Sequence, residues 1–550
     1  MQYTKDNVKW PYAWIIITGF LLYFQTLSFG FVSMDDVALI FNRYKFISNL
    51  SNVLQSFQQS VFHTLPPFDC FYRPILTVSL MCDAHFGGIN PFAYHLTNVL
   101  IHLTASCLVY NFLLKLKCEK APALWLSLIF TVHPVLSQAV AWIPGRNDSL
   151  LAVFVFLSFI FFLNFLERKK PGYYLLHILF FLIAILTKET AVMLPIICAL
   201  YIVLIYREKA PPLRLIIMSG GWLAIIFTWL ILRKDALGSE AGLPFYKIVG
   251  YIFTNSPFII QYIGKTILPV NLSVLPIIKD STFVYGLVAI GLLSLVFFLS
   301  KKARYNYVLF GLSWFILFLL PAIIRVKPVP LHYFFEHRIY LPMAGFIIII
   351  SELYPFKGEN KRITIISASS VIVILCIISF LYTENFKDRL TFWRSAVRTS
   401  SSSSTAHMGL GIAYHQMRGM SDEAQLEYKK ALERNPTISA AHKYLGMIYM
   451  SKDMLKEAEK EFRKELVVEP KDAETYFNTG LLCFKEGRLS EGETMWKKAI
   501  GFDPEYLDAY LNLAIYYYKR GDLKQSAYYT GQLKLRGVRI DEEFLKTAKI

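Results

Sequence analysis

The sequence predicts an all-α protein in two parts, a polytopic membrane region and a solenoid built from helix pairs. The chain of 550 residues is 55% hydrophobic and 18% charged, with a mean hydropathy of +0.42, which excludes an ordinary soluble enzyme. Apolar runs long enough to cross a hydrocarbon core of about 30 Å recur up to residue 382. The composition then becomes mixed, so we predict a membrane domain over 1–383 and a repeat domain over 384–550.

About eleven apolar segments are predicted to be transmembrane helices. They lie near 12–32, 92–114, 121–142, 148–166, 173–187, 190–206, 213–232, 282–300, 306–324, 338–354 and 363–382. The segment 248–268 is compatible with an interfacial helix, a re-entrant helix or a twelfth span. The long segment 33–91 between the first two spans is expected to contain short interfacial helices.

The formal net charge of +17 invites a nucleic-acid interpretation, but the cations occupy short loops between apolar runs. These loops contain Lys115, Lys117 and Lys120; Arg168, Lys169 and Lys170; Arg207, Lys209 and Arg214; Lys301, Lys302 and Arg304; and Lys357, Lys361 and Arg362. Short basic loops face the cytoplasm, so the amino terminus is predicted to be cytoplasmic and nucleic acid is not expected as a partner. Eleven spans then place the repeat domain on the periplasmic or lumenal side of a bacterial inner membrane or the endoplasmic reticulum.

Two adjacent carboxylates, Asp35 and Asp36, follow the first apolar run directly. They would lie at the membrane surface, within reach of a lipid headgroup. The structural alternative is that they solvate the end of one helix or cap the next.

Ionisable residues also occur at the predicted outer ends of other spans, where they are costly and suggest function. They are His133, Arg146, Asp148, Lys188, Glu189, Glu336, His337 and Arg338. Carboxylates suit deprotonation of a hydroxyl group, and cations suit a departing phosphate on a lipid carrier. Arg338 alternatively snorkels from the membrane edge.

The other charged residues of this set have structural alternatives as well. Lys188 and Glu189 would form an ion pair between spans, and Arg146 and Asp148 would form a pair within one loop. His133, which precedes a proline, would satisfy the backbone of a kinked helix.

The carboxyl-terminal part carries an internal repeat. Pro436, Pro470 and Pro504 are 34 residues apart. An aromatic residue precedes each proline by eight positions, namely Tyr428, Phe462 and Trp496. The pattern resembles the tetratricopeptide repeat, with copies near 404–438, 439–472, 473–506 and a degenerate 507–540. Phe392-Trp393 with Ala396 resembles half a repeat at the front of the array. Tetratricopeptide arrays commonly bind extended peptide, so a protein or peptide partner is expected.

The order of motifs along nearly the whole chain resembles one membrane glycosyltransferase family. The motifs are FVSMDDVALIFN, YRPILTVSL, NPFAYHLTNVLIHL, VHPVLSQAVAWIPGRNDSLLAVFVF, LTKETAVMLP and EHRIYLPMAG, followed by the repeats. They resemble the transmembrane and tetratricopeptide-repeat O-mannosyltransferases of the TMTC type and their bacterial relatives, in the GT-C superfamily. The resemblance implies a GT-C fold, a polyprenyl- or dolichyl-phosphate sugar donor, mannose as the transferred sugar, and a protein hydroxyl as acceptor.

The resemblance also implies roles for the polar residues. Asp35 would be the general base, giving inversion at the sugar carbon, and Asp36 would orient it or, as in metal-using relatives, ligate Mg²⁺ or Mn²⁺. The donor phosphate would be held by Arg338, Arg146 and Lys188. Acceptor or supporting contacts would come from His133, Glu336, His337, Glu189 and Asp148. Gln138 departs from the pattern, because family members often carry an acidic residue there.

Two other classes of function remain open at this point. A transporter of lipid-linked sugars would use the polar outer face as a substrate vestibule, although no inverted repeat is visible. A membrane-anchored scaffold would act through its repeats alone, with an inert acidic pair. Loss of glycosyl transfer in Asp35→Asn would separate the enzyme from both.

Overall fold

The structure is a computed structural model, and it describes residues 10–62, 71–206, 212–238, 245–300, 303–324, 333–353, 361–538, 540 and 543. Within these ranges the chain is helical, and its one β feature is an isolated antiparallel bridge between Ile277 and Tyr333. This confirms the all-α prediction. Of the loop cations used to predict orientation, Arg207, Lys209, Lys301, Lys302 and Lys357 lie outside the described residues.

The chain divides into two compact units, 1–400 and 401–550. The division falls later than the predicted boundary at 383, because the helix Arg389–Thr399 is part of the first unit. The first unit contains the helices Trp10–Tyr23, Pro74–Gly87, Pro91–Lys115, Lys120–Val132, Arg146–Arg168, Pro171–Thr187, Leu194–Leu204, Pro212–Leu237, Phe245–Asn255, Pro257–Ile267, Val284–Leu299, Tyr305–Ile323, Met343–Glu352, Lys361–Thr383 and Arg389–Thr399.

Each of the eleven predicted apolar segments contains a helix. Five helices among the described residues are long and apolar enough to cross a membrane, or six if one bent pair counts as a single span. Four further apolar helices are shorter, namely Pro171–Thr187, Glu189–Leu204, Val284–Leu299 and Met343–Glu352. The figure of eleven spans stays a prediction.

Three of the predicted segments are interrupted. The first helix ends at Tyr23 and continues as a 3-10 turn over Phe24–Ser28. The segment 121–142 bends by 50° between Lys120–Val132 and Pro134–Ala141, because Pro134 has no backbone N–H to continue the helix. The segment 248–268 is divided between helices of 11 residues each, Phe245–Asn255 and Pro257–Ile267. A single helix needs about 20 residues to span a bilayer.

The helix Arg146–Arg168 lies at the centre of the first unit, with most of its residues buried. Its Phe159 ring meets Trp314 edge to face, with ring centres 5.4 Å apart. The helices Tyr305–Ile323 and Met343–Glu352 approach closely at Gly345, where an added Cβ would lie 2.4 Å from the Gly311 carbonyl oxygen. This tight pair carries the polar turn that precedes Met343.

The described residues of the second unit form four helix pairs. They are Ser404–His415 with Ser421–Arg434, Ala441–Ser451 with Leu455–Val468, Ala473–Lys485 with Leu489–Phe502, and Leu507–Lys519 with Leu523–Leu535. Within a pair, a glycine of the first helix contacts the repeating aromatic of the second, as Gly446 contacts Phe462 and Gly480 contacts Trp496. The turn residue Asp453 has a φ of +61°, a left-handed conformation that glycine adopts in the neighbouring repeats. The predicted solenoid of tetratricopeptide-like pairs is confirmed.

Candidate active site

The acidic pair is held by a tight loop that precedes the helical turn Val37–Phe41. Asp36 Oδ2 accepts hydrogen bonds from the backbone N–H groups of Val32 and Ser33, each 3.0 Å long. Ser33 has a φ of +58°, a conformation that costs a non-glycine residue about 1 kcal/mol or more. Asp36 therefore closes the loop before it and makes no side-chain capping bond to the helix after it.

The two carboxyl groups differ in burial, and both have raised pKa values. Asp36 is 1% exposed, whereas Asp35 is partly exposed. Burial raises the pKa of Asp35 to about 6, and the Arg73 guanidinium opposes that rise. Burial raises the pKa of Asp36 to about 7 against its two backbone hydrogen bonds, with Asp35 adding to the rise and Arg389 opposing it. Asp35 is therefore the more exposed member of the pair, and its pKa suits proton transfer near neutral pH.

Arg73 connects the acidic pair to a second polar segment. Its guanidinium donates two hydrogen bonds to the Glu189 carboxylate, Nη2 to Oε1 at 2.6 Å and Nε to Oε2 at 3.1 Å. This bidentate geometry is the strongest form of an arginine–carboxylate pair. The ion pair of Glu189 is thus made with Arg73, and the structural alternative of a Lys188–Glu189 pair is not the one formed.

Lys188 pairs instead with Asp148, in the first turn of the central helix. The Nζ atom of Lys188 lies 2.7 Å from Asp148 Oδ1, and both side chains are buried. Asp148 Oδ2 lies 3.8 Å from His337 Nε2. The backbone N–H of His337 donates to Gln138 Oε1 at 3.3 Å. Four residues predicted separately from sequence, Asp148, Lys188, Glu189 and His337, therefore belong to one contact network with Arg73.

Arg338 completes a group of cations around His337. Its Nη1 atom donates to the Ala322 carbonyl at 3.0 Å, and the side chain is partly exposed. Burial holds the pKa of His337 well below its ordinary value, and the charges of Lys188, Arg338 and Arg73 lower it further. The imidazole is therefore neutral, and three cations surround it.

Glu336 is fully buried and has three hydrogen-bond donors. Its Oε1 atom accepts from Lys265 Nζ at 2.6 Å and from the Ser273 backbone N–H at 2.8 Å, and its Oε2 atom accepts from the Tyr382 hydroxyl at 3.1 Å. These bonds fix the turn Glu336–Ile339. Glu336 therefore positions His337 rather than meeting an acceptor directly.

Arg146 lies in a different network from the acidic pair. It is 0% exposed, and Nη1 forms an ion pair with Asp83 Oδ2 at 2.5 Å. Its Nε donates to Asn98 Oδ1 and its Nη2 donates to the Tyr94 carbonyl, each at 2.7 Å. The guanidinium is enclosed by protein, so the geometry favours a structural role over the predicted contact with a donor phosphate. Its ion-pair partner is Asp83, not the Asp148 of the structural alternative.

His133 satisfies the backbone at the bend between its two helices. Its Nδ1 atom accepts from the Val135 backbone N–H at 3.3 Å, which leaves Nε2 protonated to donate to the Thr266 carbonyl at 3.0 Å. The structural alternative describes these contacts. Gln138 is engaged as well, because its Nε2 donates to the Val274 carbonyl at 3.0 Å.

The side chains near the acidic pair do not fit a divalent-cation site. The described residues contain no group of three or more His, Cys, Asp and Glu side chains that could hold a metal ion. Asp36 Oδ2 is bound by two amide groups, and Gln138 supplies no negative charge. Mg²⁺ and similar cations need several oxygen ligands, which these side chains do not supply.

Several buried polar atoms of the network have no hydrogen-bond partner among the described residues. They are Asp36 Oδ1, Asp148 Oδ2, His337 Nδ1 and Trp142 Nε1. The ring centres of Trp142 and His337 are 5.5 Å apart. Most buried polar groups in proteins are paired, so these atoms have hydrogen-bonding capacity that the hydroxyl groups of a ligand would satisfy.

Sequence reasoning did not assign roles to Arg73, Lys265 or Arg389. Arg73 stands inside the quoted YRP motif, and Lys265 is a lone cation in an apolar stretch, so both had a usable signal. Arg389 had none, because it opens a helix whose pattern resembles a repeat.

The repeat unit has its own candidate site. A groove of about 690 Å³ is lined by side chains of three successive repeats, including Met447, Met450, Leu481 and Phe484, with His415 at one side. Methionine and aromatic side chains adapt to varied apolar partners. The groove therefore suits apolar side chains of a peptide.

Comparison with known proteins supports the family resemblance. A family described as dolichyl-phosphate-mannose-protein mannosyltransferase matches residues 84–232. Protein O-mannosyl-transferase Tmtc1 of Drosophila melanogaster is 31% identical over 187 residues, covering 33% of this chain and 21% of the relative. Protein O-mannosyl-transferase TMTC3 of Homo sapiens is 23% identical over 490 residues, covering 79% of this chain and 52% of the relative. The chain thus spans between about a fifth and about half the length of these relatives.

Among solved structures, YrrB, described as a TPR protein with an unusual peptide-binding site, is 19% identical with a TM-score of 0.24, covering 34% of this chain and 96% of that one. The relatives and the family match agree with the glycosyltransferase class predicted from the motifs. The chain is similar to the TMTC-type protein O-mannosyl-transferases, as its motifs predicted.

Proposed function

We propose that the protein is an inverting membrane glycosyltransferase that moves a sugar, mannose by analogy with its relatives, from a polyprenyl or dolichyl phosphate to a protein hydroxyl group. The observation that carries the proposal is the partly exposed Asp35, whose pKa is about 6, beside an arginine that leads into a cluster of cations. A base and an anion-binding region in one network are what transfer from a glycosyl phosphate requires.

In this reaction the acceptor oxygen attacks the anomeric carbon of the sugar while Asp35 takes the hydroxyl proton. The bond between that carbon and the phosphate oxygen breaks, and its electron pair leaves with the phosphate. A single displacement inverts the configuration. Asp36 holds the loop that presents Asp35, through its bonds to Val32 and Ser33.

The departing phosphate gains negative charge, which nearby cations stabilise. Of the predicted phosphate-binding cations, Arg338 is the most accessible to a ligand. Its side chain is partly exposed, and its Nη1 donates to the Ala322 carbonyl. Lys188 is buried against Asp148, so it contributes mainly through its charge.

The remaining parts of the proposal concern place and partner. The acidic pair acts on the extracytoplasmic side, the donor enters from the bilayer, and the repeats bind the acceptor protein. The apolar groove at Met447 and Phe484 supports peptide binding by the repeats.

The test is transfer of labelled mannose from polyprenyl-phosphate mannose to protein, with the purified chain in lipid nanodiscs. Asp35→Asn is expected to lower the rate by about 100-fold or more, as loss of a general base does. Asp235→Asn, an exposed carboxylate that serves as a charge-matched control, retains the rate. Equal transfer by Asp35→Asn would reject Asp35 as the base. Absence of transfer by the unaltered protein, with repeats that still bind peptide, would favour the scaffold.

A further inference from the structure

A cation that follows the last long helix lies beside the acidic pair. The helix Arg389–Thr399 begins at Arg389 and is capped by Asp388, whose carboxylate accepts from the Thr391 backbone N–H at 2.8 Å. The preceding residue, Lys387, accepts a hydrogen bond from the backbone N–H of Gly30 at 2.8 Å through its carbonyl oxygen. The loop before the acidic pair and the start of this helix are therefore tied together.

The Arg389 side chain is partly buried, yet no hydrogen bond or ion pair within 4.0 Å joins it to any described residue. Its positive charge nevertheless opposes the rise that burial causes in the pKa of Asp36, and the Asp36 carboxylate in turn opposes the fall that burial causes in the pKa of Arg389. The two groups are thus neighbours without direct contact. Burying an arginine without a partner is costly, so an anion supplied from outside the chain would stabilise this position.

The other cations of the network are already engaged. Arg73 binds Glu189, and Lys188 binds Asp148. Lys265 binds Glu336, and Arg338 binds the Ala322 carbonyl. Arg389 differs from all of them in having its full set of N–H donors available within the described structure. A guanidinium fork matches phosphate oxygens in geometry and charge.

A second observation comes from Asp36. Its Oδ1 atom is buried and has no hydrogen-bond partner among the described residues, whereas Oδ2 has two. A neutral hydroxyl group would satisfy Oδ1, but a phosphate oxygen would not. The pair of Arg389 and Asp36 is therefore complementary to a molecule that carries both an anionic group and hydroxyl groups, as a glycosyl phosphate does.

We propose that Arg389 binds the phosphate of the lipid-linked sugar donor, next to Asp36. The assignment rests on the proposed function and adds to it a residue outside all the motifs that carry the family resemblance. It also gives the helix after the last span a direct part in donor recognition.

The competing role for Arg389 is electrostatic, namely keeping Asp36 ionised without touching a ligand. The two roles separate in a binding experiment that uses no sugar. The probe is sugar-free polyprenyl monophosphate, compared with the matching polyprenol, which lacks the phosphate. Binding is measured by native mass spectrometry or tryptophan fluorescence of the full chain in phosphatidylcholine nanodiscs.

We expect the unaltered protein to prefer the polyprenyl phosphate over polyprenol. Arg389→Gln should lower that affinity by about 10- to 100-fold, since a charged hydrogen-bonded contact is lost, and Arg389→Lys should retain part of it. Arg398→Gln removes the same charge from an exposed position on the same helix and should leave binding unchanged. Inorganic phosphate and added phosphatidylglycerol should compete weakly, because the site recognises the polyprenyl carrier together with its phosphate.

Unchanged polyprenyl-phosphate binding by a monodisperse Arg389→Gln protein would overturn the assignment. A shift in the pH dependence of mannose transfer by the same variant would then identify the electrostatic role. Failure of the unaltered protein to distinguish polyprenyl phosphate from polyprenol would instead reject the proposed function. Equal competition by inorganic phosphate or phosphatidylglycerol would overturn the specificity for a polyprenyl carrier.

Discussion

The acid side of the pH profile should report the ionisation of Asp35. Its pKa of about 6 lies above the ordinary carboxyl value of 3.8 because the surrounding protein removes much of the hydration of the charged carboxylate. The basic, ionised form is therefore present above pH 6 and is lost as the pH falls through that value. Between pH 7 and pH 5 the ionised fraction drops from about nine-tenths to about one-tenth, so kcat/KM should fall by about tenfold.

Two substitutions near Asp35 should shift the acid limb of the pH profile in opposite directions. Arg73→Gln removes the positive charge that lowers the pKa of Asp35, so the limb should move to higher pH. Glu189→Gln removes the counter-ion of Arg73 and leaves its charge uncompensated, so the limb should move to lower pH. The double substitution removes both charges and serves as the control for a change in packing.

The assay is transfer of labelled mannose at limiting donor across pH 4.5 to 8, roughly spanning both sides of the limb. The position of the limb carries the information, because a structural defect lowers the rate at every pH without moving it. A limb that stays fixed in both single variants, or one that lies near pH 4, would refute Asp35 as the base.

Two further changes test the packing of each unit. Arg146→Met leaves Asp83 buried without its cation, so the free energy of unfolding should fall by about 3–5 kcal/mol, measured as a lower thermal midpoint in detergent. The double variant that also carries Asp83→Leu should recover much of this stability. Gly446→Ala places a Cβ 2.5 Å from the Phe462 ring and should destabilise the repeats by about 1–3 kcal/mol in pulse proteolysis, whereas Gly501→Ala meets open space and should not.

The positions of the helices were largely predictable from sequence, because apolar length and the 34-residue period are local signals. The bend within 121–142 agrees with the structural alternative given for His133-Pro134, a kinked helix whose backbone the histidine satisfies. The bounds of the first helix were less predictable. It changes to a 3-10 turn after Tyr23, where the Gln25 side-chain amide donates to the Phe380 carbonyl at 2.9 Å. That partner lies 355 positions away in the sequence.

The members of the candidate site were predictable, but their pairing was not. Sequence proximity suggested Lys188 with Glu189, whereas the structure gives each a partner from another segment. Ion pairs inside a membrane protein depend on which helices pack together, and neighbours in sequence often point in different directions. The same reason explains Arg146, whose partner Asp83 lies on the helix Pro74–Gly87.

The helix Arg389–Thr399 shows how a local pattern can indicate the wrong unit. Its Phe392, Trp393 and Ala396 resemble half a repeat, and the change in composition near residue 383 also places the helix in the predicted repeat domain. In the structure Thr399 Oγ1 lies 2.7 Å from Ser273 Oγ, and the Phe392 ring centre lies 5.9 Å from that of Phe386. The helix thus belongs to the first unit.

This assignment changes how a truncation of the repeats must be designed. A chain that ends at 383, the boundary indicated by composition, loses Arg389 together with the repeats. Its inactivity would then follow from damage to the acidic pair, and it would say nothing about acceptor binding. A chain that ends at Ser400 keeps the helix and the hydrogen bond between Lys387 and Gly30. Comparing the two truncations tests the donor binding proposed for this helix, and comparing the chain that ends at Ser400 with the full chain tests the acceptor binding proposed for the repeats.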